Sequence, residues 1–80
     1  MKFKKLTDGI YRGYKSVGSW GIGTTIHESK KGVVLTMDII CENTILPFVN
    51  KSFEEIPIAK LYAVKIIRQI INELGKWTEE

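Results

Sequence analysis

Period-two alternation dominates the middle of the chain. Trp20, Ile22, Thr24 and Ile26 fall on one side of an extended segment, and Gly21, Gly23, Thr25 and His27 on the other. Successive side chains of a strand point to opposite faces, so this pattern predicts a half-buried strand over 19–28. Val33, Leu35, Met37, Ile39 and Cys41 form a wholly apolar face opposite Val34, Thr36, Asp38 and Ile40, which predicts a second strand over 33–42. Ser29-Lys30-Lys31-Gly32 between them reads as a hairpin loop whose glycine takes a positive φ. Ile10-Tyr11-Arg12-Gly13-Tyr14-Lys15 predicts an earlier strand over 10–15, entered through the turn residues Thr7-Asp8-Gly9. Lys2–Leu6, with Phe3 as its large apolar residue, reads at most as a frayed edge strand.

The period changes to 3.6 in the last third. Ala59, Ala63, Val64, Ile66, Ile67, Ile70, Ile71 and Leu74 share a wide arc of a helix, opposite Lys65, Arg68, Gln69 and Asn72. Pro57 suits a first helical turn, whose N–H groups lack intrahelical acceptors, and Gly75 is a stop signal. The predicted helix therefore runs over 57–75, with Ser52-x-x-Glu55 ahead of it in the form of a capping box. Thr44–Val49 is the ambiguous segment. Ile45, Leu46, Phe48 and Val49 are apolar without alternation, and Pro47 confines any strand to a sheet edge. The expected fold is α+β: one domain over 1–80, a small antiparallel sheet of three strands (four if 44–49 pairs), and one C-terminal helix on one face.

Composition narrows the functional classes. A chain of 80 residues with 44% hydrophobic and 26% charged content is one small globular domain. Cys41 is its single cysteine, so no intrachain disulfide forms. No apolar run reaches the roughly 18–20 residues of a membrane span. MKFKKL leads into Thr7, Asp8 and Gly9 rather than an apolar stretch, unlike a signal peptide. A cytoplasmic location is the expectation. The net charge of +3 is uneven: residues 1–31 hold seven basic and two acidic side chains, and residues 32–80 hold five and seven.

Catalytic and metal chemistry find little support. His27 is the single histidine, and with Cys41 it makes at most one ligand pair, short of the four that structural zinc takes. Nothing near Cys41 supplies an orienting third group for a Cys–His nucleophile. Gly18, Gly21 and Gly23 lie around a strand followed by another strand, not between a strand and a helix N-terminus, so they make no phosphate loop. No cofactor, metal or small-molecule ligand is expected, and no enzymatic activity.

Two sets of residues remain. Tyr11, Arg12, Tyr14 and Lys15, with Trp20 and the loop residues Lys30 and Lys31, interleave cations with aromatics, as surfaces that neutralise phosphates and stack on bases do. Ile45, Leu46 and Phe48 surround Pro47 in a segment with no evident core partner. Tyr11-Arg12-Gly13, Trp20, and Ser52-Phe53 ahead of Ala59-x-x-Tyr62-Ala63 together resemble AP2-type domains and the related integrase N-terminal domains. That resemblance implies three antiparallel strands, a C-terminal helix and a sheet that reads a DNA major groove. The chain departs from the pattern: it lacks the Leu-Gly-x-Phe approach to the helix, inserts the apolar segment 44–49 and carries little positive charge on its second and third strands. Membership is not assigned. The leading expectation is a non-enzymatic protein-interaction module, such as an inhibitor or adaptor of the kind found in phages and mobile elements, or a homodimer. The alternative is a sheet-based nucleic-acid binder.

Overall fold

The structure is a computed structural model and describes residues 3–78, with side chains described as far as residue 73. Five strands and one helix follow in chain order: β1 (Phe3–Thr7), β2 (Ile10–Val17), β3 (Trp20–Ser29), β4 (Gly32–Cys41), β5 (Thr44–Phe53) and α1 (Ile56–Thr78). The strands form one antiparallel meander in sequence order, so each hairpin pairs with the next and no connection crosses the sheet.

The fold class holds, but the sheet has five strands rather than the expected three or four. Both additions are edge strands. β1 pairs Phe3 with Gly13 and Lys5 with Tyr11 before its register shifts between Lys5 and Thr7. β5 extends well beyond 44–49, from the Cys41–Thr44 pair to the Val33–Phe53 pair. Its alternation was hidden by a bulge: Met37 pairs with Val49 and Asp38 with Pro47, which leaves Phe48 as the extra residue. The bulge shifts the phase of the pattern, so Leu46 and Val49 both point toward the helix although they lie three residues apart. Pro47 is tolerated because it stands on an outer strand.

This longer β5 also consumes Ser52, so the expected capping box does not form. Glu54 and Glu55 make a bend, and the Glu55 carbonyl accepts the first helical bond from the Ala59 N–H at 3.3 Å. Glu55 thus occupies the N-cap position, and α1 starts at Ile56, one residue before Pro57. Gly75 does not end the helix, which runs on to Thr78; Glu79 and Glu80 lie outside the described residues.

The hairpin geometry follows local chemistry. Gly18 adopts φ 63° in the two-residue loop between Val17 and Trp20, where a primed turn matches the strand twist. Gly32 adopts φ 128° after Lys30-Lys31, and the Lys31 N–H donates to Ser29 Oγ at 3.3 Å. The β4–β5 loop is the exception, since Glu42 takes φ 53° where glycine is favoured.

One face of the sheet carries the core. Ile22 and Ile26 of β3, with Val33, Leu35 and Met37 of β4, are buried against Ala59, Ala63 and Ile67 of α1. The two alanines, one helical turn apart, let the helix settle close over β3 and β4. Phe3, Tyr11, Val17, Trp20, Val49, Phe53, Ile56, Tyr62, Ile66, Ile70 and Ile71 pack around this centre. Cys41, expected on the buried face, is exposed at the strand end.

Candidate interaction surface

The strand pleat decides which candidate residues can act together, and it divides the basic–aromatic set. Tyr11 and Lys15 pair with Ile26 and Ile22, so they point toward the helix; Arg12 and Tyr14 pair with Thr25 and Gly23 and point away. Tyr11 belongs to the core margin, with Lys60 Nζ 5.0 Å from its ring centroid and 5.5 Å from that of Phe3. A matching cluster holds the other flank of α1. Phe53 and Tyr62 meet with ring centroids 5.2 Å apart, and Lys51 Nζ lies 4.8 Å from the Tyr62 centroid. These paired lysines brace the first half of the helix from both sides.

Lys30 and Lys31 stand exposed at the β3–β4 tip. Thr25, the register partner of Arg12, precedes the tip residue Ser29 by four positions, about 13 Å at strand rise. The six residues therefore lie on both faces of the sheet and at one hairpin tip, and no single basic patch gathers them.

The sheet face opposite the helix is left open by the described residues. Reading across it, one row runs Lys4, Arg12, Thr25, Thr36, Asn50; the next Tyr14, Gly23, Asp38, Pro47; a third Gly21, Ile40, Ile45. The β3 glycines make a trough that neighbouring side chains fill. The Tyr14 phenol lies across Gly21, where any Cβ would collide with it, and Ile40 and Arg12 cover Gly23. Arg12 and Tyr14 (54% exposed) are thus laid flat on the surface. With Asp38 in the next row, the face is mixed rather than strongly basic.

Ile45, Leu46 and Phe48 form a continuous exposed stretch of β5, at 63, 57 and 39% exposure. Ile45 faces the open side, Leu46 faces the helix side, and Phe48 sits at the bulge. Ile66 and Ile70 follow Tyr62 at four-residue intervals on the helix flank that Phe53 directs toward β5, and both are half-buried. Residues 45–49 thus make one end of this outer edge apolar from both sides, while Asn50, Lys51 and Ser52 are exposed at the other end. The opposite edge differs: β1 is five residues long and carries Lys4 and Lys5, a composition that discourages pairing.

His27 and Cys41 do not meet. His27 pairs with Val34, seven residues before Cys41 on the same strand, a separation of about 23 Å. Among the described residues no three potential metal ligands cluster, and no helix is long and apolar enough to cross a membrane. Comparison with protein-family models, curated proteins and solved structures found no match, so the AP2-type resemblance gains no support and the β5 edge rests on its own geometry.

Proposed function

We propose that the chain is a small non-enzymatic protein-binding module that engages its partner through the β5 edge. The carrying observation is the exposure of Ile45, Leu46 and Phe48 along one outer strand, with Ile45 on its open side and Leu46 on its helix side. Contiguous exposed apolar surface on a soluble domain marks an interaction site, and an outer strand also offers unpaired backbone groups for strand addition. Pro47 and the bulge restrict such pairing to part of the edge, which favours a defined partner over open-ended aggregation. An inhibitor or adaptor role in the cytoplasm, or a homodimer, fits this surface. Light scattering at two concentrations, together with pull-down from source lysate, tests the reading. Wild-type protein should self-associate or capture a partner, and Ile45→Ser with Leu46→Ser should abolish it. A strict monomer that captures nothing, or capture unchanged in the double variant, counts against it.

A second reading has one specific observation in its favour: Arg12 and Tyr14 lie exposed together on the open face. A cation beside a flat aromatic suits a nucleic-acid strand. Phosphate contacts would impose a steep salt dependence, so gel shifts at low and moderate salt with Arg12→Ala/Tyr14→Ala decide it. Binding that is absent at low salt, or indifferent to these changes, removes this reading.

A further inference from the structure

Helix α1 packs on β3, β4 and β5, and Lys15 of β2 stands exposed on the same side of the sheet. Beside it lies a groove of about 200 Å³ lined by Lys15, Val64, Ile67, Arg68 and Ile71. Its base is Ile67, 5% exposed, with half-buried Val64 and Ile71 on its flank. Lys15 from β2 and Arg68 from α1 are both exposed, and they supply its charge from opposite walls. Among the described residues no acidic side chain lines the groove, and neither cation has an ion-pair partner.

The geometry points to a docking site for a partner peptide that inserts one bulky apolar side chain between flanking carboxylates. The volume selects the size of the anchor. It is smaller than the roughly 300–1,000 Å³ of pockets that enclose drug-sized ligands, and it suits one large side chain of the kind that anchors interfaces. The charges select the flanks. Two like charges held across an apolar slot repel, and a carboxylate beside each relieves that repulsion as it docks. Lys15 and Arg68 thus act together on the helix side of the sheet, the face opposite the Arg12–Tyr14 pair. The site is independent of the β5 edge, so each can fail without the other.

Fluorescence anisotropy with two labelled peptides tests the assignment: Glu-Asp-Trp-Glu-Asp and its basic counterpart Lys-Lys-Trp-Lys-Lys. The acidic peptide should saturate wild-type protein, and its tryptophan-to-alanine version should bind at least tenfold more weakly. Lys15→Glu/Arg68→Glu should reverse the preference to the basic peptide. That double variant changes two exposed side chains, and circular dichroism checks its fold. Ile45→Ser/Leu46→Ser should leave acidic-peptide binding intact. No saturation by about 1 mM, the bound of very weak association, overturns the proposal, as does acidic-peptide binding that survives the charge reversal. Self-association abolished by Lys15→Glu/Arg68→Glu would assign the groove to a second copy, and a single-stranded oligonucleotide competing for it would assign it to nucleic acid. Either result also overturns the peptide site.

Discussion

Single residues show where this chain departs from its own local rules. Thr24 is fully buried among aliphatic side chains, and its Oγ1 has no hydrogen-bond partner. A buried hydroxyl without a partner costs about 1–3 kcal/mol relative to an apolar group of the same shape. Thr24→Val is therefore expected to stabilise the domain by roughly 1 kcal/mol, a rise of about 4–8 °C in Tm for a domain of this size. A lowered melting temperature would show that the hydroxyl makes a bond the fold requires. Glu42 is the second such residue, held at φ 53° in a two-residue hairpin loop. A side chain in this region is strained by roughly 1–2 kcal/mol, so Glu42→Gly should gain about 0.5–1 kcal/mol after glycine's entropic cost. Chemical denaturation of the variant checks this, and a lower midpoint would refute it. Neither feature is visible in the sequence, where Thr24 reads as an ordinary strand residue and Glu42 as an ordinary loop residue.

At the level of elements, the helix reads most plainly and the outer strands least. The buried arc Ala59, Ala63, Ile67 lies within the predicted apolar face, and Lys65, Arg68, Gln69 and Asn72 are exposed as the opposite face requires. Ile67→Ala should cost about 2–5 kcal/mol, enough to lower Tm by about 10 °C or more; a shift of only a degree or two would rule out the packing. Ala63→Leu tests the close approach of helix to sheet from the other direction. Ala63 is fully buried in the core, so added carbons must displace neighbours, and overpacking should cost about 1–3 kcal/mol. An unchanged melt would mean that the helix stands farther from the sheet. β3 and β4 were legible because one face of each is buried, which imposes strict alternation. β5 was not, because the bulge at Phe48 shifts its phase and its position at the edge removes the demand for a buried face. The ends of α1 were misread for related reasons: pairing of Phe53 with Val33 takes Ser52 into the strand, and Gly75 is carried within a longer helix.

The whole molecule is a single sheet with a helix on one side, and its two edges are unequal. One edge is short and carries Lys4 and Lys5; the other is longer and apolar over residues 45–49. That asymmetry gives the β5 reading a direction, since a partner or second copy has one favourable edge to meet. If β5 is the contact, Ile45→Ser/Leu46→Ser should abolish association while leaving the melting temperature nearly unchanged, because these side chains contribute little to the core. A large loss of stability would instead assign them a structural role.

The sequence alone determined the α+β class, the two central strands with their hairpin, the helix and its buried face, because each depends on a local period imposed by burial. It also singled out Ile45, Leu46 and Phe48, whose apolar character matched no evident core position. Only the tertiary structure decided how many strands join the sheet, since edge pairing depends on a neighbour's free backbone rather than on a strand's own pattern. The same holds for the cations and aromatics of β2. Adjacent in sequence, they are divided by the pleat: Arg12 and Tyr14 go to the open face, while Tyr11 joins the core margin and Lys15 joins Arg68 across a groove that no stretch of sequence contains.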